Sequence, residues 1–219
     1  KFLLVAAIGG REVFIDPNPN AIKSYQIRKG LFLAGQNWSH YPENMISKGG
    51  GVFKKNAKSI TLSKEIKKLL NIKKDVVNGE ELTRAVLCMK VDMFFNGGVG
   101  TYVKASDENN AEIGDKPNEA VRINANELKA LVVCEGGNLG LTQKARIEYA
   151  KLGGKINMDS IDNSAGVNTS DMEVNLKIIL NALVSKESIS EENRLELLNS
   201  MIPNVEKSVL WTNYFQALS

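Results

Sequence analysis

Three short apolar runs in this chain stop abruptly in glycine and asparagine. They are Val91-Asp-Met-Phe-Phe-Asn-Gly-Gly98, Leu131-Val-Val-Cys-Glu-Gly-Gly-Asn138 and Ile161-Asp-Asn-Ser-Ala-Gly-Val167. A buried parallel strand looks like this when its carboxyl end opens onto a ligand crevice. Glycine lets a flat, polar ligand come close to the backbone, and asparagine offers that ligand both a donor and an acceptor. Taken singly, each Gly-Gly or Asn-Gly is equally well read as a turn. Three strand ends sharing one chemistry point to a single site.

Composition narrows what that site can serve. With 219 residues, 43% of them hydrophobic, the chain can bury a sizeable core as one domain, or as one domain with an appendage. A formal charge of +3 from scattered residues of mixed sign argues against a nucleic-acid partner. The one basic cluster, Lys67-Lys68 with Lys73-Lys74, falls in a helical stretch and reads as a solvated face. The longest apolar run, around Phe2 to Ile8, is far short of the ~20 residues a membrane span needs. No secretory leader is visible, and the amino terminus reads as cut. Cys88 and Cys134 each sit inside an apolar run, as buried thiols of a reducing, cytoplasmic compartment do. A lone histidine, His40, leaves almost no material for a histidine metal site or a Ser-His-Asp triad. No metal is expected.

Along the chain, strand and helix patterns alternate. Residues 2–8 read as a buried strand ending at Gly9-Gly10, and Val13 opens a second run broken by Pro17 and Pro19. Residues 21–60 are poorly periodic, a partly structured excursion. Ser63 caps a predicted helix to about Leu70, and Asn78 with Glu81 forms a capping box for the next, to about Met89. Strand 91–95, a polar loop near 105–119, a short helix near Ala125–Ala130 and strand 131–135 follow. Then come an amphipathic helix Gln143–Leu152 stopped by Gly153-Gly154, strand Ile156–Met158, a helix capped by Asp171 or Ser170 and running to about Val184, and a helix over 191–202 ended by Pro203. Strands separated by helices predict right-handed βαβ units, an α/β fold with a doubly wound, mostly parallel sheet. Residues 1–185 form its domain. Residues 186–219, with apolar positions such as Leu195, Met201, Val205 and Val209, form a carboxy-terminal helical segment packing on that domain or on another one.

Longer motifs carry a resemblance. Val5-Ala-Ala-Ile-Gly-Gly-Arg-Glu-Val-Phe-Ile-Asp-Pro17, Ile46-Ser-Lys-Gly-Gly-Gly-Val-Phe53, Asn96-Gly-Gly-Val-Gly-Thr-Tyr-Val-Lys104, Glu135-Gly-Gly-Asn-Leu-Gly-Leu-Thr-Gln143, Ile161–Val167 and the tail Ser208–Ser219 resemble the carboxy-terminal part of the large bacterial NAD-specific glutamate dehydrogenases. The resemblance covers essentially the whole chain, in order. It implies oxidative deamination of L-glutamate to 2-oxoglutarate and ammonia, hydride passing to NAD, and assembly as a homo-oligomer. It also implies that the chain holds most of a Rossmann-like cofactor domain lacking its first strand, glycine-rich turn and pyrophosphate-binding helix. Substrate-binding and catalytic residues then lie elsewhere, and none is assigned here. Within the cofactor site, Asn96, Gly97 and Gly98 would face the adenosine side, Gly136, Gly137 and Asn138 the nicotinamide ribose, and Asn163 with Ser164 the nicotinamide amide.

The missing first strand and substrate domain are one departure from the family; two stretches of the chain bear on the rest of that picture. Ser47-Lys48-Gly49-Gly50-Gly51 superficially resembles a catalytic lysine motif but lies in the cofactor half, so Lys48 reads as a glycine-loop residue. Gly9 stands where relatives carry the acid that holds the adenosine ribose, with Arg11 two residues on. Losing that carboxylate removes a bidentate acceptor and a repulsion against a 2′-phosphate, which weakens discrimination between NAD and NADP. Glu12 lies too far along the turn to be assumed a substitute; Asp16 could serve if the chain folds back. Other amino-acid dehydrogenases, an NADP-linked relative, or a nucleotide-binding module without catalysis remain the alternatives.

Overall fold

A computed structural model describes residues 2–218; Lys1, and Ser219 at the end of the tail motif, lie outside the described residues. The chain is α/β, with ten short strands and eight α-helices among the described residues. Strand β1 (Ala6–Ile8) turns back at Gly9-Gly10 into β2 (Glu12–Ile15), and the Gly9 N–H donates to the Glu12 carbonyl at 2.8 Å. So tight a turn joins antiparallel strands only. β2 pairs antiparallel with β3 (Gly51–Lys54) on its other side, giving the order β1-β2-β3. The buried strand expected over residues 2–8 is therefore shorter and differently placed: Phe2 and Leu3 are exposed and pairing starts at Ala6. Helix α1 (Ala21–Leu33), in the predicted excursion, is capped by the Asn20 side chain, which accepts from the Ile22 and Lys23 N–H groups. Only Ser24 of it is buried, so it carries no apolar stripe for periodicity to detect.

The next stretch follows its sequence signals closely. β4 (Ile60–Thr61) and β5 (Val76–Val77) pair antiparallel around α2 (Lys64–Leu70), whose Ser63 cap accepts from the Ile66 N–H at 3.1 Å. Asn71, left-handed at φ 53, ends α2. α3 (Gly79–Leu87) opens with the reciprocal Asn78–Glu81 box, at 2.8 and 2.9 Å. Val13, Ile15, Ile66, Leu70 and Leu82 bury together as one core cluster between these elements.

Parallel pairing is confined to the next part of the chain. β6 (Met93–Asn96), β9 (Val132–Glu135) and β10 (Lys155–Ile156) form a parallel sheet in the order β10-β9-β6, with α5 (Gln143–Lys151) crossing from β9 to β10. Residues 91–95 and 131–135 thus share a sheet, as predicted. Between β6 and β9 lie β7 (Val103–Lys104), α4 (Asn110–Ile113) and β8 (Ile123–Asn124); β7 and β8 pair in parallel. The loop expected near 105–119 so contains one helical turn, and the helix expected near Ala125–Ala130 is a single 3-10 turn, Ala125–Glu127. Among the described residues, four small sheets stand where one mostly parallel sheet was expected. Their strands run two to four residues. The Gly9-Gly10 turn forces β1 and β2 antiparallel. β2–β3 and β4–β5 are antiparallel across long connections that carry α1 and α2, whereas the long connections into β8, β9 and β10 make parallel crossovers. A second core cluster, including Val103, Ile123, Val133, Leu141, Ala145 and Tyr149, lies beneath this sheet.

At the carboxyl end, α6 (Asp159–Asp162), α7 (Ser164–Ser185) and α8 (Glu191–Leu218) follow, with α7 and α8 packed along each other. α7 starts at Ser164 rather than at the predicted Asp171 or Ser170 cap. α8 runs through Pro203 rather than ending there. A mid-helix proline removes one backbone bond, but residues beyond it are tied down: Val209 is buried, and Asn213 donates to the Ile161 carbonyl at 2.7 Å. Leu195, Leu197, Ile202 and Leu210 are exposed instead. Cys88 and Cys134 are free and half-buried, not buried, because Cys134 occupies an alternating position of β9 and Cys88 the end of α3. No helix among the described residues is long and apolar enough to cross a membrane.

Candidate functional site

The carboxyl ends of β6 and β9 lie side by side. Asn96 is the register partner of Glu135, and the Gly136 N–H donates to the Asn96 carbonyl at 2.8 Å. From there two glycine loops leave the sheet in contact. A Cβ added at Gly137 would sit 2.3 Å from the Gly98 carbonyl oxygen, so only glycine permits this approach. Around Gly98 itself, nothing lies within 4 Å of the added Cβ. Gly97 and Gly136 flank the Phe95 ring and are exposed. Asn96 is buried, its Nδ2 packed on Gly140 and without a hydrogen-bond acceptor, so this strand end carries an unspent donor.

The third motif, expected as a strand end, is instead the junction of two helices, α6 and α7, because the chain turns helical at Asp159, three residues past β10. It still joins the other two. Asn163, which precedes α7, donates from Nδ2 to the Asn138 side-chain oxygen at 2.9 Å. Asn163 makes no side-chain cap on α7, its backbone lying at φ −105 and ψ 29, as the C-cap of α6, rather than in the extended conformation of a capping residue. Ser164 is buried, and its hydroxyl accepts from Asn213 of α8 at 2.9 Å. Asn96, Gly97, Gly98, Gly136, Gly137, Asn138, Asn163 and Ser164 are thereby linked at the strand ends. Gly9 sits apart from that linkage, in the β1–β2 turn of the other sheet, where an added Cβ would lie 3.1 Å from the Trp38 ring and 3.7 Å from a Glu12 carboxylate oxygen.

A buried polar frame carries the loops. Gly100, at φ +114, needs glycine, and the Thr101 N–H after it donates to Asp115 at 2.7 Å. Arg122, fully buried, donates to the Thr101 and Asp115 carbonyls at 2.8 and 2.6 Å. Partial burial works to raise the Asp115 carboxyl, but hydrogen bonds from Asn118 and the Thr101 N–H, with the Arg122 charge, bring it below the usual range. On the other side, the Arg146 guanidinium pairs with Glu135, stands 3.5 Å from Asp159, and donates to the Asn157 carbonyl at 3.1 Å. Asp162 accepts from the Glu135 N–H at 3.1 Å and Asp159 from the Leu139 N–H at 2.9 Å. Burial, with the Asp162 charge adding, raises the Cys134 thiol. Sequence reading assigned no role to Arg146, Asp159, Asp162 or Asn213. The only sequence signal was the pair of acids just past the third parallel strand. What converges is a wall of amides, backbone N–H groups and bare glycine backbone, suited to holding a flat polar molecule.

Comparison with known proteins adds the family. The family model "Bacterial NAD-glutamate dehydrogenase, catalytic domain" matches residues 1–219. Curated relatives named NAD-specific glutamate dehydrogenase include those of Halomonas elongata, 47% identical over 99% of the chain, and Mycobacterium tuberculosis, 45% identical over 96%. The Pseudomonas aeruginosa protein of that name is 46% identical over 99%. The chain spans 14%, 13% and 13% of the lengths of these three relatives respectively.

Proposed function

Because this chain belongs to the bacterial NAD-glutamate dehydrogenase family, we propose that it supplies the NAD-binding wall of an enzyme that oxidises L-glutamate to 2-oxoglutarate and ammonia. The observation that carries this reading is the convergence of Asn96–Gly98, Gly136–Asn138 and Asn163 at one end of the parallel strands. The residues present fit such a group: an unspent amide donor at Asn96, open space over Gly98, and a paired amide at Asn138 and Asn163. Asn96 to Gly98 would hold the adenosine side, Gly136 to Asn138 the nicotinamide ribose, and Asn163 the carboxamide. Ser164 acts behind Asn163, since it is buried and its hydroxyl accepts from Asn213 of α8. When bound, NAD supplies the hydride acceptor; these residues orient it and exclude water.

β6 ends its sheet at one edge and β1 ends another, each with one unpaired side. In this reading a strand from elsewhere in the protein lies between them, completing a doubly wound cofactor fold that residues 1–185 begin. Residues 186–219 pack onto that unit through Val209 and Asn213. Glutamate is bound mainly by another domain of a homo-oligomeric enzyme.

The structure also bears on cofactor choice. Asp16 is buried and occupied, accepting from Ser47 and from the Asn18 N–H at 3.3 Å. Glu12, by contrast, places its carboxylate beside Gly9. Antiparallel return of the chain supplies here, from across the turn, the acid that Gly9 lacks, and this favours NAD over NADP. The test is the full-length protein assayed with glutamate and NAD: turnover to 2-oxoglutarate supports the reading, and none overturns it. The 219-residue segment alone should show no turnover, since proton transfer needs groups outside it.

A further inference from the structure

The wall formed by Gly136–Asn138 is gripped at both ends by one short element. Asp162 of α6 accepts from the Glu135 N–H at 3.1 Å, immediately before the wall. Asp159 of α6 accepts from the Leu139 N–H at 2.9 Å, immediately after it. Leu139 has φ 57, a left-handed conformation that a γ-branched, L-configured residue adopts only under constraint. It gains nothing by burial, being 55% exposed, so packing does not hold it there. What holds it is polar: Asp159 takes its N–H, and the Thr101 hydroxyl donates to its carbonyl at 2.7 Å.

Asp159 is itself fixed. It is 7% exposed, its second oxygen accepts from the Ser160 N–H at 3.0 Å, and its bonding oxygen stands 3.5 Å from the Arg146 guanidinium. Arg146, 4% exposed, also pairs with Glu135 and bonds the Asn157 carbonyl. One guanidinium thus ties the end of β9, the exit of β10 and the start of α6 together. A charge so buried needs pairing; Arg146 has two carboxylates within ion-pair distance and one carbonyl bond, while its Nε and Nη2 make no hydrogen bond. Strain held by surrounding structure is what positions a binding loop.

We propose that Asp159, oriented by Arg146, is a positioning residue that holds Leu139 left-handed and so sets the Gly136–Asn138 wall for its ligand. This rests on the cofactor reading above. Asp159 touches no ligand; it acts through the Leu139 backbone. Removing its carboxylate lets Leu139 relax to a right-handed or extended conformation. The Asn138 amide then swings away from Asn163, and the wall loses its shape while the sheet beneath remains.

The test uses the full-length protein and two independent readouts: amide hydrogen exchange across residues 136–140, and KM for NAD at saturating glutamate. Asp159→Ala should speed exchange at Gly136–Asn138 at least tenfold and raise KM for NAD about ten- to hundredfold, leaving KM for glutamate unchanged. Asp159→Asn, which keeps an acceptor, should recover most of both. Asp159→Ala combined with Leu139→Gly should also recover them, because glycine adopts this φ without a clamp. Arg146→Lys should give a milder form of the Asp159→Ala phenotype, and it guards against misfolding of the alanine variant. Exchange and KM within twofold of wild type in Asp159→Ala would overturn the proposal, as would failure of Leu139→Gly to restore either. A wild-type protein lacking NAD-dependent turnover would overturn the cofactor reading instead, and the exchange data would still decide the clamp.

Discussion

Gly98→Ala separates a ligand-contacting glycine from a turn glycine more cleanly than any other change in this chain. Nothing lies within 4 Å of the added methyl, and Gly98 is not among the residues of positive φ, so alanine enters the folded state without clash or strain. Reduced freedom of the unfolded chain should even stabilise the protein, by about 0.4–1 kcal/mol. The cost appears only if a molecule packs on that backbone. A methyl standing about 1.5 Å off the Cα would push such a ligand back by roughly 1 Å, and misplacement of that size costs up to about a hundredfold. We therefore expect kcat/KM for NAD to fall ten- to hundredfold, about 1.4–2.8 kcal/mol, with KM for glutamate and Tm held or Tm slightly raised. Steady-state kinetics with NAD varied, beside a thermal melt, measures both. Gly137→Ala is the contrasting control: its methyl would meet the Gly98 carbonyl oxygen at 2.3 Å, so Tm should fall along with activity. An unchanged KM for NAD in Gly98→Ala would refute the placement of the cofactor against this loop, and a large drop in Tm would refute the geometry itself.

The remaining expectations test neighbouring parts of the same surface. Asn163→Ala, which breaks the 2.9 Å bond to Asn138, should lower kcat/KM about 10- to 100-fold; an unchanged rate would mark Asn163 as a turn residue only. Glu12→Gln should cut the NAD-over-NADP preference by a factor of ten or more, since a charged hydrogen bond contributes about 1.5–3 kcal/mol, and an unaltered ratio would assign the ribose to another group. Asp115 has a depressed folded pKa, so its contribution is complete above its unfolded value of about 3.9 and is lost as pH falls through the folded value. Asp115→Asn should accordingly flatten the acid limb of Tm against pH; a limb of undiminished slope would show that other carboxylates set it.

How much of the fold the sequence discloses depends on whether the signal is local. Caps are local: Ser63 and the Asn78–Glu81 box lie within one turn of the groups they satisfy, and both helices start as their sequences indicate. Strand direction is not. Val5–Ile8 and Val91–Phe95 are alike as apolar runs, yet β1 pairs antiparallel and β6 parallel. The difference lies in the connection, a Gly9-Gly10 turn in one case and a long excursion in the other. Proline also misleads when read alone. Pro203 removes a backbone bond in any helix, but α8 continues because contacts made ten residues later, by Asn213, fasten its second half to α6 and α7.

The site divides along the same line. Glycine and asparagine at the strand ends stand out in the sequence because the contacts they make use their own backbone or amide, at the place where they stand. Arg146 and Asp159 are not, because their role exists only after three segments have met. In sequence, Arg146 is one cation of an ordinary charged helix, and Asp159 one acid beside Asp162. Folded, Arg146 is almost wholly inaccessible and faces two carboxylates. Breaking one side of such a buried pair costs about 3–5 kcal/mol, against about 0.3–0.5 kcal/mol for an exposed helical pair such as Glu173–Lys177. Leu139 completes the argument. Its left-handed backbone is unfavourable for leucine, so sequence propensity alone would place the loop differently, and the disagreement between local preference and observed conformation marks where the surrounding charges set the shape of the wall.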